Sequence, residues 1–238
     1  MGDKNLLVVG AHSADFVWRA AGTIAVTTSQ GGRATVIALS YGERGESGEL
    51  WQKPDQTLEN VKRIRHEEAA AAASAVGATF RCLDLGDYPL NITNVAMEHL
   101  VELFRDMQPH IVLTHTPVDP FNPDHPVASQ AVQKARLLAS GAGVSSAFKR
   151  IIPPDLFFFE PHQPELSGFM PNTFVDITPV MDQKVKAMQA MQAQGYLQSY
   201  YTELASRRGN HARRISGMEE VKYAEAFQRT LPWVVKSL

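Results

Sequence analysis

The chain is poor in the features that would place it outside the ordinary globular class. Its 238 residues include one cysteine, Cys82, which excludes an intrachain disulfide framework and a zinc site built on thiolates. Within FRCLDL that residue reads as a buried, inert thiol on a strand. No stretch approaches the ~18 continuous apolar residues of a membrane span, and the opening MGDKNLLVVG has neither a signal-peptide pattern nor the serine or threonine that myristoylation favours. Cytoplasmic location is therefore expected. The formal charge of −2 lacks the basic excess that nucleic-acid binding needs. Internal repeats and low-complexity segments are absent.

What is present is alternation. With 44% hydrophobic and 20% charged residues, the chain can bury a substantial core. Leu6–Val9, Arg33–Ser40, Thr79–Leu85, Ile111–Thr114, Asp155–Glu160 and Phe174–Ile177 read as strands. Between them, 16–30, 57–76 and 93–108 read as helices, the second opened by Thr57 as a cap and the third stopped by Pro109. A further helix is expected to open at Pro126, and another to follow Thr178-Pro179 through the stripe Met181, Val185, Met188, Met191, which reads as core. The stretch 196–217 is rich in tyrosine and arginine and receives no element. A last helix is expected over 218–229, followed by the apolar tail 231–235, which is expected to pack on its own domain or on a neighbouring subunit of a homo-oligomer. Strands alternating with helices imply a single α/β domain over 1–238, with a Rossmann-like, mostly parallel sheet and helices on both faces.

In such sheets ligands bind off the carboxyl ends of the strands, and those ends carry unusual chemistry. The first strand runs into Ala11-His12-Ser13-Ala14-Asp15, where an imidazole and a carboxylate three residues apart can converge on one divalent ion. A strand-end histidine and a first-turn aspartate also have ordinary structural uses. The second strand is followed by a loop with Glu43, Arg44, Glu46 and Glu49, the fourth by HTPVDPFNPDH ending at His125, and the fifth by EPHQPE with His162. Each alone has a bland explanation in a solvated loop. Their meeting on one sheet edge points to a metal site.

The combination of AHSADF at 11–16, GERG at 42–45, TH at 114–115, NPDH at 122–125, RG at 208–209 and YAEAF at 223–227 resembles the PIG-L/LmbE-like zinc deacetylase family. The resemblance spans nearly the whole chain and implies that family's fold. It implies Zn2+, with Fe2+ or Co2+ as alternatives, held by His12, Asp15 and His125 with one position open. Two departures stand out. The aspartate that serves the deacetylases as general base falls on Ala14, which cannot take a proton, and a histidine of the third motif falls on Asn122.

The AHSADFVWRA opening and the long GERGES loop are similar to a hydratase branch of the family. That likeness implies addition of water to a carbon–carbon double bond conjugated to a carbonyl, in a small polycarboxylate. The replacement base is expected from the loop carboxylates, Glu46 first, because Gly45 and Ser47 leave the chain free to turn it inward, with Glu43 and Glu49 as alternatives. His162 is the expected acid. Arg44, Arg208, Arg213, Arg214 and Asn122 are the expected substrate contacts, the arginines because a planar guanidinium matches a carboxylate. Deacetylation of an N-acetyl amino sugar is the competing activity. A non-catalytic nucleotide-binding module would need the GxGxxG that is missing after the first strand.

Overall fold

In the computed structural model, described here for residues 4–234, the first strand β1 (Asn5–Gly10) lies in the middle of a seven-stranded sheet. β2 (Arg33–Ala38) and β3 (Thr79–Cys82) extend it on one side; β4 (Ile111–Thr114) and β5 (Asp155–Phe159) extend it on the other. These five are parallel. Two more strands, β6 (Thr173–Asp176) and β7 (Ala224–Arg229), complete the order β3-β2-β1-β4-β5-β7-β6, with β7 antiparallel to both neighbours.

Buried on both faces, β1 reads as a continuous apolar run. Leu6 and Val8 join a core with α1 (Asp15–Ser29), α3 (Leu58–Ala75), α6 (Met181–Ala190) and α7 (Gln198–Ser216). Leu7 and Val9 join a second core with α4 (Asn94–Met107) and α5 (Asp124–Ser140) on the opposite face. The strand order reverses between the parallel neighbours β1 and β4: one crossover leaves to each face, which opens a crevice at their carboxyl ends. Among the described residues no helix is long and apolar enough to cross a membrane.

The Thr57 cap falls where expected, accepting from Asn60 N at 3.2 Å, and Thr93 caps α4 in the same way, accepting from Ala96 N at 3.2 Å. The methionine stripe is core, with Met181, Met188 and Met191 buried. Other expectations are corrected. A one-turn helix α2 (Gly48–Trp51) interrupts the loop after β2. α5 begins at Asp124 rather than at Pro126, because the Asn122 side chain accepts the Asp124 N–H at 3.1 Å and opens the helix earlier. The unassigned tyrosine-rich stretch is the long α7, whose buried stripe is only Tyr201, Ala205 and Gly209. The final expected helix is instead strand β7: Ala224, Glu225, Ala226 and Phe227 are buried in succession between two strands, a demand that overrides the helix propensity of Ala, Glu and Gln. In the tail, Leu231, Trp233 and Val234 are exposed, held to their own domain through Arg229, which donates to the Leu231 carbonyl at 2.7 Å and lies 5.9 Å over the Trp233 ring; Val235 lies outside the described residues.

β7 carries a buried charge into the core. Glu225 accepts from the Gly22 and Thr23 amides at 2.9 and 2.8 Å, from the Thr23 hydroxyl at 2.7 Å and from Lys184 at 2.6 Å. Lys184 also donates to the Trp18 carbonyl at 3.0 Å. α1, α6 and β7 are thus tied at one point. Lys184→Met leaves that carboxylate short of its counter-charge, and the expected loss of stability is about 3–5 kcal/mol, read as a lower denaturant midpoint with an unchanged slope.

Candidate metal centre

His12 follows β1 directly and Asp15 opens α1. The two meet because the turn between them is tight: a methyl group on Gly10 would come within 2.8 Å of Asp15 Cβ. α1 has Ala14 at its cap position, with no side-chain cap bond. In place of a cap, Asp15 Oδ2 reaches back to accept the His12 N–H at 2.7 Å. Arg19, one helical turn on, donates to Asp15 Oδ1 at 2.9 Å. On the other side of the crevice, β4 ends at Thr114, and His115 places its Nε2 3.0 Å from Asp15 Oδ2. The first turn of α5 supplies His125, whose Nε2 lies 3.5 Å from Asp15 Oδ1.

His12 and His125 each have one nitrogen turned outward onto a carboxylate. His12 Nε2 lies 3.2 Å from Asp124 Oδ2, and His125 Nδ1 lies 2.8 Å from Asp119 Oδ2. Their inward nitrogens, His12 Nδ1 and His125 Nε2, are buried and have no hydrogen-bond partner. Both point to the same spot, where one atom each from His12, Asp15, Glu46 and His125 lie within 4.8 Å of one another. Carboxylate-oriented imidazoles with free inward nitrogens fit a divalent ion. Glu46 belongs to this cluster: its Oε1 is 3.1 Å from His12 Nδ1, 3.8 Å from His125 Nε2, and accepts from Asn122 Nδ2 at 3.2 Å.

The charges are strongly coupled. Burial alone would raise the pKa of Asp15, but His115 and His125 outweigh it and hold the carboxyl well below its usual range. Burial is likewise outweighed at Glu46, by His12 and His125, so Glu46 is ionised. Burial would lower His125, yet Asp15, Asp119 and Glu46 push it up to about 9. His12 is raised well above its ordinary value, Glu46 and Asp124 overcoming burial. His115 goes the other way, down to about 3, through burial and the neighbouring His125.

Of the residues singled out from the sequence, His12, Asp15, His125, Glu46 and Asn122 are brought together. His162 stands further out, exposed, with its ring 4.7 Å from that of Tyr200. Arg208 is engaged by Glu160. Arg44 is half exposed and donates to the Asp87 carbonyl at 3.0 Å. Arg213 and Arg214 occupy the last turn of α7, where they complement the helix dipole, and are not part of the cluster. Glu43 is buried, its Oε2 turned to the Tyr41 amide at 3.1 Å, and Glu49 is exposed on α2. Sequence reasoning gave no role to Arg19, His115, Asp119 or Asp124. The Asp15–Arg19 spacing of four on a helix was the one readable signal.

In metal-free protein the raised His125 contributes stability fully below its unfolded pKa of about 6.5, and that contribution is lost as pH rises through about 9. The difference corresponds to on the order of 3 kcal/mol. Chelator-treated protein is expected to lose stability between about pH 6.5 and 9, and His125→Gln to flatten that slope, as measured by denaturant midpoints across the range. An unchanged slope in the variant assigns the dependence to His12.

The family model described as PIG-L: GlcNAc-PI de-N-acetylase matches residues 7–136. Over 238 aligned residues the chain is 44% identical to the 4-oxalmesaconate hydratase of Pseudomonas putida KT2440, covering 99% of this chain and 92% of that one. The crystal structure of GalB, the 4-carboxy-2-hydroxymuconate hydratase from the same organism, superposes with a TM-score of 0.95 at 44% identity over 99% of each chain. The diacetylchitobiose deacetylase of Thermococcus kodakarensis is 30% identical over 80% of this chain and 70% of that protein. The match to the family model runs from the strand that carries His12 to the helix that carries His125, and the chain belongs to the PIG-L de-N-acetylase family.

Proposed function

We propose that this protein is a metal-dependent hydratase that adds water to the conjugated double bond of 4-oxalomesaconate or its tautomer 4-carboxy-2-hydroxymuconate. The observation that carries the reading is the likeness to the hydratase along 99% of each chain, against 30% identity to a deacetylase over part of it. The site supports it. Position 14 is alanine and buried, so the deacetylase base is absent where the family places it. A different carboxylate, Glu46, occupies the cluster.

His12, Asp15 and His125 would hold the ion, with zinc the expected metal and Fe2+ or Co2+ alternatives. A bound divalent ion would lower the pKa of water toward ~7 and polarise a carbonyl oxygen. Glu46 is ionised, as a base must be, and the Asn122 amide steers its carboxylate. It takes the proton of the incoming water. His162 delivers the proton to the adjacent carbon. Burial and then Arg19 hold the His162 pKa below its ordinary value in the free protein, and a substrate carboxylate arriving beside it restores the protonated form. Arg44 and Arg208 remain candidates for the substrate carboxylates, with Arg208 needing to exchange Glu160 for one of them. Arg213 and Arg214, in the last turn of α7 and outside the cluster, are the weaker pair. We further propose a cytoplasmic homo-oligomer, the exposed Leu231, Trp233 and Val234 supplying apolar surface for a neighbouring copy.

Glu46→Gln and His162→Ala are expected to lower hydration of the unsaturated acid by ~10²–10⁴-fold without loss of bound metal, followed as loss of the conjugated absorbance and by elemental analysis. Near-normal turnover in Glu46→Gln removes it as base. Asp119→Ala should weaken metal binding by about 10–100-fold in a chelator competition. Release of acetate from an N-acetyl amino sugar, with the unsaturated acid untouched, establishes the deacetylase activity instead.

A further inference from the structure

Behind Glu46 the contacts form a closed ring. Asp87, fully buried, accepts the Arg44 N–H with both oxygens, at 2.9 and 3.0 Å, and the Gly45 N–H with Oδ2 at 2.7 Å. The next residue, Tyr88, lays its ring against Gly45 so closely that a methyl group there would overlap it. Asp124 in turn accepts the Tyr88 and Leu90 amides at 2.9 Å each, and lies 3.2 Å from His12 Nε2. His12 Nδ1 faces Glu46, which follows Gly45. One circuit thus links His12, Asp124, the 88–90 backbone, Asp87, the 44–45 backbone and Glu46.

The loop that carries Glu46 needs such a hold. Gly42, Gly45 and Gly48 leave its backbone many conformations to lose, and Glu46 itself is partly exposed. We propose that Asp87 is the positioning residue for Glu46, clasping the two amides before it so that its carboxylate stays against His12. The inference rests on the reading of Glu46 as the base. Asp87 touches neither the reacting atoms nor the inward ring nitrogens, so its loss should leave the ligands His12, Asp15 and His125 in place. A base displaced by about an ångström can cost ~10²-fold in rate.

The test uses Asp87→Asn, which keeps the volume but removes the charge and replaces one of the two accepting oxygens by an N–H donor, and Gly45→Ala, which forces the Tyr88 ring off the loop with Asp87 intact. Each is made alone and combined with Glu46→Gln. The expected result is a kcat lower by ~10²-fold with KM and metal content near those of the parent. In the Glu46→Gln background the further loss is expected to vanish, because residues acting as a unit are not additive. Independently of turnover, hydrogen exchange at the Arg44 and Gly45 amides of metal-free Asp87→Asn should be about tenfold faster or more, with peptide amides of β1 unchanged.

An unchanged kcat in both variants overturns the proposal. So does an equal loss with and without Glu46→Gln, which makes Asp87 a contributor to general stability only. If Asp87→Asn does not fold, Gly45→Ala decides by the same two criteria. Failure of the hydratase reading looks different: Glu46→Gln alone then keeps its turnover, which refutes the base and the catalytic meaning of the clasp together.

Discussion

A carboxylate kept ionised without water is the constraint on which this site depends. Asp15 is 1% exposed, and holding such a group charged costs several kcal/mol unless it is hydrogen-bonded and paired. The pairing is supplied from four directions: the His12 amide, the Arg19 guanidinium, the His115 ring and the His125 ring. Those partners fix both oxygens. The negative charge they preserve favours the protonated form of His125 and, with Glu46, sets the electrostatics of the crevice.

The scaffold makes this arrangement inexpensive in entropy. Two strand-to-helix junctions face each other, β1 to α1 and β4 to α5, and their helices depart to opposite faces of the sheet. Each junction contributes histidine and carboxylate from residues that are already ordered by strand pairing or by the first helical turn. α1 is further tied halfway along by Glu225 and Lys184, which leaves its first turn little freedom to shift. The loops that close the crevice from above have no such support from the sheet. Buried aspartates do that work, Asp87 for the loop after β2 and Asp124 for the loop after β3.

How much of this could be read from the residues follows from the range of the interactions. The parallel core was legible because β-branched runs, glycine turns and threonine caps act locally: β4 is Ile111–Thr114, as its sequence indicates, and the helix after Thr57 starts at Leu58. The last strand was not, because YAEAF has the composition of a helix and becomes a strand only between β5 and β6. The grouping of His12, Asp15 and His125 was legible from strand-end position and from family likeness. Glu46 was chosen for the flexibility of its surroundings and lies beside His12. Arg213 and Arg214, which the planar guanidinium suggested, sit at a helix end, whereas Arg19, hidden among apolar residues of α1, binds Asp15. A buried guanidinium in an apolar stretch leaves little to read beyond its spacing of four from Asp15.

The place of β7 has a consequence for the order of assembly. β1 to β5 can pair as successive βαβ units while the chain emerges from the ribosome, each needing only residues already made. β7 cannot: it enters between β5 and β6, and Ala224–Arg229 follow every other strand of the sheet along the chain. Until then β5 presents an unpaired edge, and Lys184 has no counter-charge. Glu225 arrives on that same strand to seize the amides of Gly22 and Thr23. The helix bearing Asp15, which follows β1, is therefore clamped in its final place only after all the other strands of the sheet have been made.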